Sequence, residues 1–394
     1  MSESRPAGQH TVRRHNSALV LGAIAESPGI SRAGVAARTG LTKATVSTLV
    51  DRLVSAALVR DAGPEHRAGP GRRGTSLSLS PTGPHGLGVE IAVDYIATCL
   101  VDLTGEVRWS QVREADNRDR PAGRVLARVG TAVRDALRHA TELSITVGGI
   151  GVAVPGLVEA SSGLLRRAPN LGWHNVDLPA ELSKRTELPG VPVLVGNEAN
   201  LAALAELRAG APADFVHVSG EIGIGAGIVL GGELYDGTRG FGGELGHFPV
   251  SSRGPVCSCG ARGCLERLAG QEAILTRAGA ADPGALVERL EAGDRAASAA
   301  VRSAARWLGT ALSSVLNLLD VPTVVLGGTY ARLYPWLHEP LRAELQARVL
   351  SAPWASIEVR RSALGTEAAV RGAATSVLRS IVADPDTFIA ARTA

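Results

Sequence analysis

Three of the four cysteines in this 394-residue chain, Cys257, Cys259 and Cys264, lie within eight residues of one another. His247 lies ten residues before the first of them. Three thiols this close together cannot all form disulfides, whereas three thiolates and one imidazole are donors that suit tetrahedral Zn²⁺. We therefore predict one structural Zn²⁺ per chain, held by these four side chains. Three unrelated buried thiols are the alternative interpretation.

Two glutamates, Glu244 and Glu266, bracket this cluster and remain free for another role if the zinc site is already complete. The segment reads GGELGH and then CSCGARGCLE. This pattern resembles the signature of the ROK family, whose repressors and sugar kinases share one sugar-binding core. The resemblance implies that the His and the three Cys hold structural zinc. It also implies that Glu244, His247 and Glu266 face the hydroxyls of a sugar.

The charge of the chain is unevenly distributed. Residues 1–80 carry 11 Lys and Arg against 5 Asp and Glu, and the remainder carries 30 against 33. A basic head on a mildly acidic body indicates a polyanion-binding domain joined to a small-molecule domain.

The sequence contains neither a signal-peptide core nor an apolar run long enough to cross a membrane. Thiols arranged for a metal indicate a reducing compartment. We therefore expect a cytoplasmic protein with no membrane partner.

Two short helices are predicted near the N-terminus, with Ser31 and Thr42 placed to cap them and Gly40 ending the first. Small polar residues and a lysine remain outward near the start of the second helix, at Lys43, Ala44, Thr45, Ser47 and Thr48. This arrangement is typical of a helix-turn-helix, although an ordinary helical hairpin has the same local pattern.

The next segment favours DNA binding. A strand beginning at Leu58 and the alternating SLSLS at 76–80 flank a glycine-rich loop with arginines at Arg67, Arg72 and Arg73. Such a wing could reach phosphates or the minor groove. Residues 31–53 also resemble the DNA-reading helices of ROK repressors. We predict a winged helix-turn-helix domain over residues 1–80 that binds double-stranded operator DNA as a homo-oligomer, a dimer or tetramer.

The rest of the chain predicts an α/β core. Residues 81–86 are expected to be a linker, and residues 87–394 a ROK sugar-binding domain of two lobes. Similar strand-turn-strand units occur at 87–107 and 215–237. They fit the duplicated actin-like (ribonuclease H-like) fold that the resemblance implies.

The kinase motifs of the family are altered. Where the kinases carry D-x-G-G-T, this chain reads EIAVD from Glu90 to Asp94. Where they carry G-T-G, it has Glu221-Ile222-Gly223. Glycines that let phosphates approach are lost, both hydroxyls are lost, and two carboxylates that would repel a triphosphate appear, at Asp94 and Glu221.

The position of the catalytic base is altered too. The kinases carry N-D-x-N, and this chain has NEAN from Asn197 to Asn200. The longer Glu198 would displace the base by about 1 Å, which can cost about 100-fold in rate. We expect a monosaccharide to bind without being phosphorylated, on Asn197, Glu198, Glu244, His247 and Glu266.

NEAN, and APNLGW at 168–173, resemble the xylose-repressor branch of the family. These residues predict a sugar-responsive repressor of carbohydrate-utilisation genes that binds a monosaccharide such as xylose and has no kinase activity. The alternative is an ATP-dependent ROK sugar kinase with an accessory DNA-binding domain. Asn170 could contact the ligand. Trp173 could stack on the sugar or pack in the core.

Overall fold

The computed structural model describes residues 9–64, 75–186 and 191–392. Its N-terminal unit comprises α1 (Gln9–Glu26), β1 (Ile30–Ser31), α2 (Arg32–Thr39), α3 (Lys43–Ser55), β2 (Val59–Pro64) and β3 (Thr75–Leu79). The three strands form an antiparallel sheet in the order β1-β3-β2. This is the predicted winged-helix topology, with one short strand, β1, that the sequence analysis did not anticipate. The loop between β2 and β3, with Arg67, Arg72 and Arg73, lies outside the described residues.

The predicted caps define the ends of the two short helices. Ser31 Oγ accepts a hydrogen bond from the Gly34 amide at 3.2 Å, and Thr42 Oγ1 accepts one from the Thr45 amide at 3.2 Å. Gly40 ends α2 with a φ of +72°, a left-handed conformation that favours glycine. The apolar stripe of α3 is buried, as its helical spacing predicts, at Val46, Leu49, Val50 and Leu53.

The first lobe contains a five-stranded sheet in the order β11-β7-β4-β5-β6. Its elements are β4 (His85–Ile91), β5 (Tyr95–Val101), β6 (Val107–Glu114), α4 (Ala122–Glu142), β7 (Val147–Val154), β8 (Leu157–Val158), β9 (Leu165–Ala168), β10 (Trp173–Val176), α5 (Leu178–Ser183), β11 (Val193–Asn197) and α6 (Glu198–Arg208). Strands β8, β9 and β10 form a small separate sheet. Strand β4 begins at His85, inside the segment 81–86 that was expected to be a linker.

The second lobe contains a matching sheet in the order β14-β13-β12-β15-β16. Its elements are β12 (Phe215–Gly220), β13 (Ile224–Leu230), β14 (Glu233–Leu234), α7 (Glu266–Ala269), α8 (Gln271–Ala278), α9 (Pro283–Glu291), α10 (Arg295–Leu319), β15 (Thr323–Gly327), α11 (Gly328–Arg332), α12 (Tyr334–Arg348) and β16 (Glu358–Arg361). Two sheets that both begin with an antiparallel hairpin confirm the duplicated actin-like core.

The chain then returns to the first lobe through α13 (Ala368–Ala383) and α14 (Pro385–Ala391). Helix α13 lies against β4, β7 and α6. Glycines permit this close approach, since a Cβ at Gly151 would lie 1.8 Å from the Ala373 carbonyl oxygen. One cluster of buried apolar side chains continues from α13 into the N-terminal unit, so that the two parts share a hydrophobic core.

Among the helices of the described residues, none is both long enough and apolar enough to span a bilayer.

Candidate functional site

The four predicted metal ligands converge. One donor atom from each of His247, Cys257, Cys259 and Cys264 lies within 4.8 Å of all the others. The His247 Nδ1 atom is 3.7 Å from Cys257 Sγ, and Cys259 Sγ is 3.7 Å from Cys264 Sγ. A tetrahedron with metal–sulfur bonds of about 2.3 Å has edges of about 3.8 Å, which is close to both separations. The cluster therefore has the donors and the dimensions of a closed tetrahedral metal site.

Local backbone structure builds this cluster. His247 ends a short 3₁₀ turn, and isolated bridges join Pro249 to Cys264 and Val256 to Arg262. Gly263 has a φ of +72°, and a Cβ there would lie 1.6 Å from the Ser251 carbonyl oxygen. Glycine is thus required where the loop folds back and aims the thiols at one point.

A cleft of about 290 Å³ lies between the lobes. This is near the lower end of the range of about 300–1,000 Å³ that is usual for small-molecule pockets. The tips of the β4–β5 and β12–β13 hairpins, the start of α6 and the metal-binding loop all contribute to its walls. All five sequence-predicted sugar contacts line it, namely Asn197, Glu198, Glu244, His247 and Glu266.

Asn197 positions Glu198 at one wall of the cleft. Its Oδ1 caps α6 by accepting from the amides of Ala199 and Asn200 at 2.9 and 3.1 Å. Its Nδ2 donates to the Gly156 carbonyl and to Glu198 Oε2, at 3.1 and 2.9 Å. Burial, with smaller contributions from Glu244 and Glu221, raises the pKa of Glu198 to about 8. In this structure Asn197 is therefore both a helix cap and the residue that orients a protonatable carboxyl.

Two glutamates connect the metal-binding loop to the cleft. The Cys257 thiol donates to Glu266 Oε1 at 3.2 Å. Glu244 Oε2 lies 4.0 Å from His247 Nε2, whereas the Nδ1 atom of the same ring lies 3.7 Å from Cys257 Sγ. Each carboxylate thus lines the cleft and touches a side chain of the metal cluster.

The residues around APNLGW have different roles. Trp173 is 3% exposed and its Nε1 donates to the Arg120 carbonyl at 2.7 Å, so its packing in the core is the correct interpretation. Asn170 lines the cleft. So does Arg167, which the sequence analysis missed and whose buried Nε has no hydrogen-bond partner among the described residues. Arg167 was missed because an arginine in a short strand is ordinarily exposed.

A family model described as the ROK family matches residues 86–380. The chain belongs to the ROK family. A second model, described as the MarR family, matches residues 14–68 and so covers the winged-helix unit.

Regulators and kinases of the ROK family both resemble the chain. The xylose repressor of Bacillus subtilis (strain 168) is 30% identical over 379 residues, which are 94% of this chain and 97% of that protein. The structure of a ROK family transcriptional regulator, a homolog of the E. coli MLC protein, has a TM-score of 0.81 at 25% identity and covers 97% of this chain and 100% of its own. A ROK glucokinase from Streptomyces griseus, solved with glucose and AMPPNP, has a TM-score of 0.66 at 26% identity. It covers 74% of this chain and 98% of its own.

The two hairpin tips of this ROK core carry acidic residues into the cleft. Glu90, near the end of β4, is 4% exposed and lines the cleft together with Glu221 of the β12–β13 tip. Burial first, and then Glu221, raises the pKa of Glu90 well above its ordinary value. The altered segment is evident from the sequence, whereas the burial of Glu90 is not.

The start of α3 presents the expected outward residues of the ROK chain. Lys43, Ala44 and Thr48 are exposed, and Thr45 and Ser47 are half-buried. The hydroxyl groups of Thr45 and Thr42 form a hydrogen bond, with their oxygens 2.9 Å apart. The exposed side chains lie along one face of the helix, as an element that enters a groove of DNA requires.

Proposed function

We propose that this ROK chain is a transcriptional repressor that binds operator DNA through its winged-helix unit and releases it when a monosaccharide occupies the cleft. The supporting observation is the combination of a DNA-binding type of head with a sugar-kinase type of cleft whose hairpin tips carry Glu90 and Glu221. Xylose is the first sugar to test, because the Bacillus subtilis relative is named a xylose repressor. The active form is a homo-oligomer, a dimer or tetramer, because winged-helix repressors usually read palindromic sites as dimers.

The hairpin tips argue against phosphoryl transfer. Phosphates bind where backbone amides and cations converge, whereas Glu90 and Glu221 bring carboxylates from both tips. Glu198, at the position of the kinases' base, is largely protonated at neutral pH because burial raises its pKa to about 8. A protonated carboxyl cannot accept a proton from a sugar hydroxyl.

The Cys₃His cluster holds one structural Zn²⁺. It supplies four ligands, which completes a tetrahedral site and leaves no position for a reactive water. When bound, the ion would fix the loop that carries Glu244 and Glu266 at the edge of the cleft.

Operator DNA binds on the exposed face of α3. Lys43 would neutralise phosphate charge, and Ala44, Thr45, Ser47 and Thr48 are small enough to let the helix approach base edges. The wing arginines Arg67, Arg72 and Arg73 are the remaining proposed contacts, with phosphates or the minor groove.

Selection of genomic DNA fragments with the purified chain would identify an operator, and fluorescence anisotropy with a panel of monosaccharides would identify the inducer. We expect at least one sugar to weaken operator binding about tenfold. Failure to enrich any sequence would contradict the DNA assignment. Sugar-dependent formation of ADP from ATP would contradict the non-kinase assignment and favour the alternative, a ROK sugar kinase with a DNA-binding head.

A further inference from the structure

The half of the cleft between the hairpin tips contains carboxylates that the proposed sugar contacts leave unused. Glu90 is buried and Glu221 is half-buried, and both line the cleft. Burial and the neighbouring Asp94 raise the pKa of Glu221 to about 7. Neutral hydroxyl groups do not require two acids, one of them buried, at the same end of the cleft, so this pair points to a different chemical group.

This end of the cleft has too few hydrogen-bond donors to satisfy the carboxylate oxygens of Glu90 and Glu221. The Tyr95 hydroxyl donates to Glu90 Oε1 at 2.7 Å, and its single proton cannot also satisfy Glu221. The Val370 amide, at the start of α13, is close enough to lower the pKa of Glu90. Even so, Glu90 Oε2 has no hydrogen-bond partner in the described part of the chain. A buried carboxylate oxygen without a donor is unfavourable, and a ligand that supplies donors would relieve it.

Positive charge is also lacking at this point. Arg332 lowers the pKa of Glu221 through its charge. Within the described residues, Arg332 forms no salt bridge with Glu221, and Arg167 is the one cationic lysine or arginine that lines the cleft. Arg167 belongs to the wall built by β9, on the side of Asn170. Few cationic side chains would therefore compete with a ligand cation for Glu90 and Glu221.

A ligand-borne cation fits this site better than a bare metal ion. The Cys₃His cluster is the one group of three or more metal-binding side chains that converges within the described residues. Glu90 and Glu221 therefore have no third carboxylate close enough to share an ion with them. An ammonium group offers three N–H donors and one positive charge, and it would favour the ionised forms of Glu90 and Glu221, which burial disfavours in the free cleft.

We propose that this end of the cleft binds a protonated amino group, and that the preferred effectors are amino sugars or other polyhydroxylated amines. This rests on the proposed function, in which the other end of the cleft binds sugar hydroxyls. Glu198 joins the two ends, because it lines the cleft and is close enough to both Glu244 and Glu221 for each to raise its pKa. One small ligand could therefore span both ends.

The test is calorimetry with D-glucosamine, D-glucose and N-acetyl-D-glucosamine at about pH 7, in phosphate because Tris is itself a polyhydroxylated amine. We expect glucosamine to bind at least about tenfold more tightly than the two uncharged sugars. Glu221→Gln should remove this preference, because a neutral amide keeps the shape but not the charge. An unchanged circular-dichroism spectrum would show that this variant is folded. Glu291→Gln, on the exposed end of α9, is the matched control and should keep the preference.

The outcomes separate this inference from the proposed function. Equal affinities for glucosamine and glucose, or a preference that survives in Glu221→Gln, would overturn the amine site and leave sugar binding standing. Binding of glucosamine alone would support the amine site and restrict the effector to cationic sugars. No binding of any of the three sugars would overturn the amine site, and operator binding by the same sample would then show whether the DNA-binding assignment stands by itself.

Discussion

Glu266 lies between the proposed metal site and the proposed sugar-binding cleft. One of its carboxylate oxygens accepts from the Cys257 thiol, and the side chain also lines the cleft. Glu244 has the same double position through His247. Because Glu244 and Glu266 flank the metal-binding residues in one stretch of chain, a metal that fixes this stretch would also fix these two proposed contacts of the ligand.

The first prediction concerns the metal. We expect one zinc per chain in protein purified without chelator, and none in Cys264→Ser, because loss of one thiolate opens the site. The variant should melt at least about 5 °C lower, since metal affinity contributes directly to folding. Elemental analysis and calorimetry measure both effects. Cys99→Ser is the control, because this buried thiol lies outside the loop and its loss should leave zinc in place. Wild-type protein without zinc would contradict the assignment.

The second prediction concerns pH. Burial raises the pKa of Glu221 to about 7 and that of Glu198 to about 8, from 4.5. The folded chain therefore holds protons that the unfolded chain releases, which stabilises the fold below the unfolded pKa and is lost as pH rises through the folded pKa. The free energy of unfolding should fall between about pH 5 and about pH 8.

Glu221→Gln should flatten this fall, because an amide does not titrate. Urea unfolding at a series of pH values measures the slope. Glu291→Gln, which replaces an exposed carboxyl, should keep the wild-type slope. An unchanged slope in Glu221→Gln would show that this carboxyl does not hold its proton in the folded state.

At this scale the sequence predicted the identity of the cluster better than the contents of the cleft. His247 and the three cysteines lie within 18 residues of one another, so a local pattern is enough to group them. Arg167 and Glu90 reach the cleft from strands of two different sheets, and no local spacing relates them to Glu221. Their positions depend on how the lobes pack.

Among the elements, α3 carries the proposed contacts with DNA. The third prediction is that Lys43→Ala weakens operator binding. The plot of the logarithm of the association constant against the logarithm of salt concentration should become shallower by about 0.9, as the loss of one phosphate contact requires. Anisotropy titrations over a range of salt concentrations measure the slope. Lys184→Ala, an exposed lysine of the first lobe, should leave it unchanged. If both variants behave like wild type, α3 does not contact phosphate through this residue.

A continuous path of elements runs from the cleft to α3. Helix α6 begins at Glu198 and packs along α13, which contacts α1 of the winged-helix unit. Beyond α13, Asp386 of α14 is 5% exposed and accepts from Arg52 of α3 at 2.7 Å. Arg13 of α1 lies 3.7 Å from the same carboxylate. A movement of α6 could therefore reach the DNA-binding helix through packed side chains.

The fourth prediction tests this path. Asp386→Asn removes the charge that holds Arg52 and Arg13, and it should cost less than the roughly 3–5 kcal/mol of a fully buried pair, because both arginines are partly exposed to solvent. We expect the folded variant to bind operator but to respond less to sugar, because the head is no longer fixed to α14. Paired anisotropy titrations with and without sugar measure the response. Asp116→Asn, from an exposed ion pair, is the control. A full sugar response in Asp386→Asn would exclude this contact from the path.

Helix ends were predictable where a cap is local, as at Ser31 and Thr42. The position of α13 was not, because its partners lie far away in sequence and the signal is a set of glycines spread over β4, β7 and α13 itself. Short β1 was missed for a related reason, since two residues have no periodicity and exist as a strand only through pairing with β3.

At the scale of the molecule, the cleft lies between two sheets, and α13 joins the first of them to the DNA-binding head. Closure of the lobes on a ligand is the motion that this duplicated core permits. A ligand can shift the open and closed populations only by its difference in affinity for the two states. A tenfold loss of operator affinity requires about 1.4 kcal/mol of such preference, which a few hydrogen bonds to charged groups could supply.

The last prediction joins the two halves of the molecule. In an oligomeric repressor, closure would change the separation of the DNA-binding heads, which must match half-sites about 34 Å apart or a multiple of that distance. Glu244→Ala should leave operator binding intact, because the side chain lines the cleft and lies beside the metal-binding loop, but should abolish release by sugar. Glu291→Ala should respond like wild type. Normal induction of Glu244→Ala would place the ligand elsewhere, and operator binding that tightens with sugar would reverse the sign of regulation proposed here.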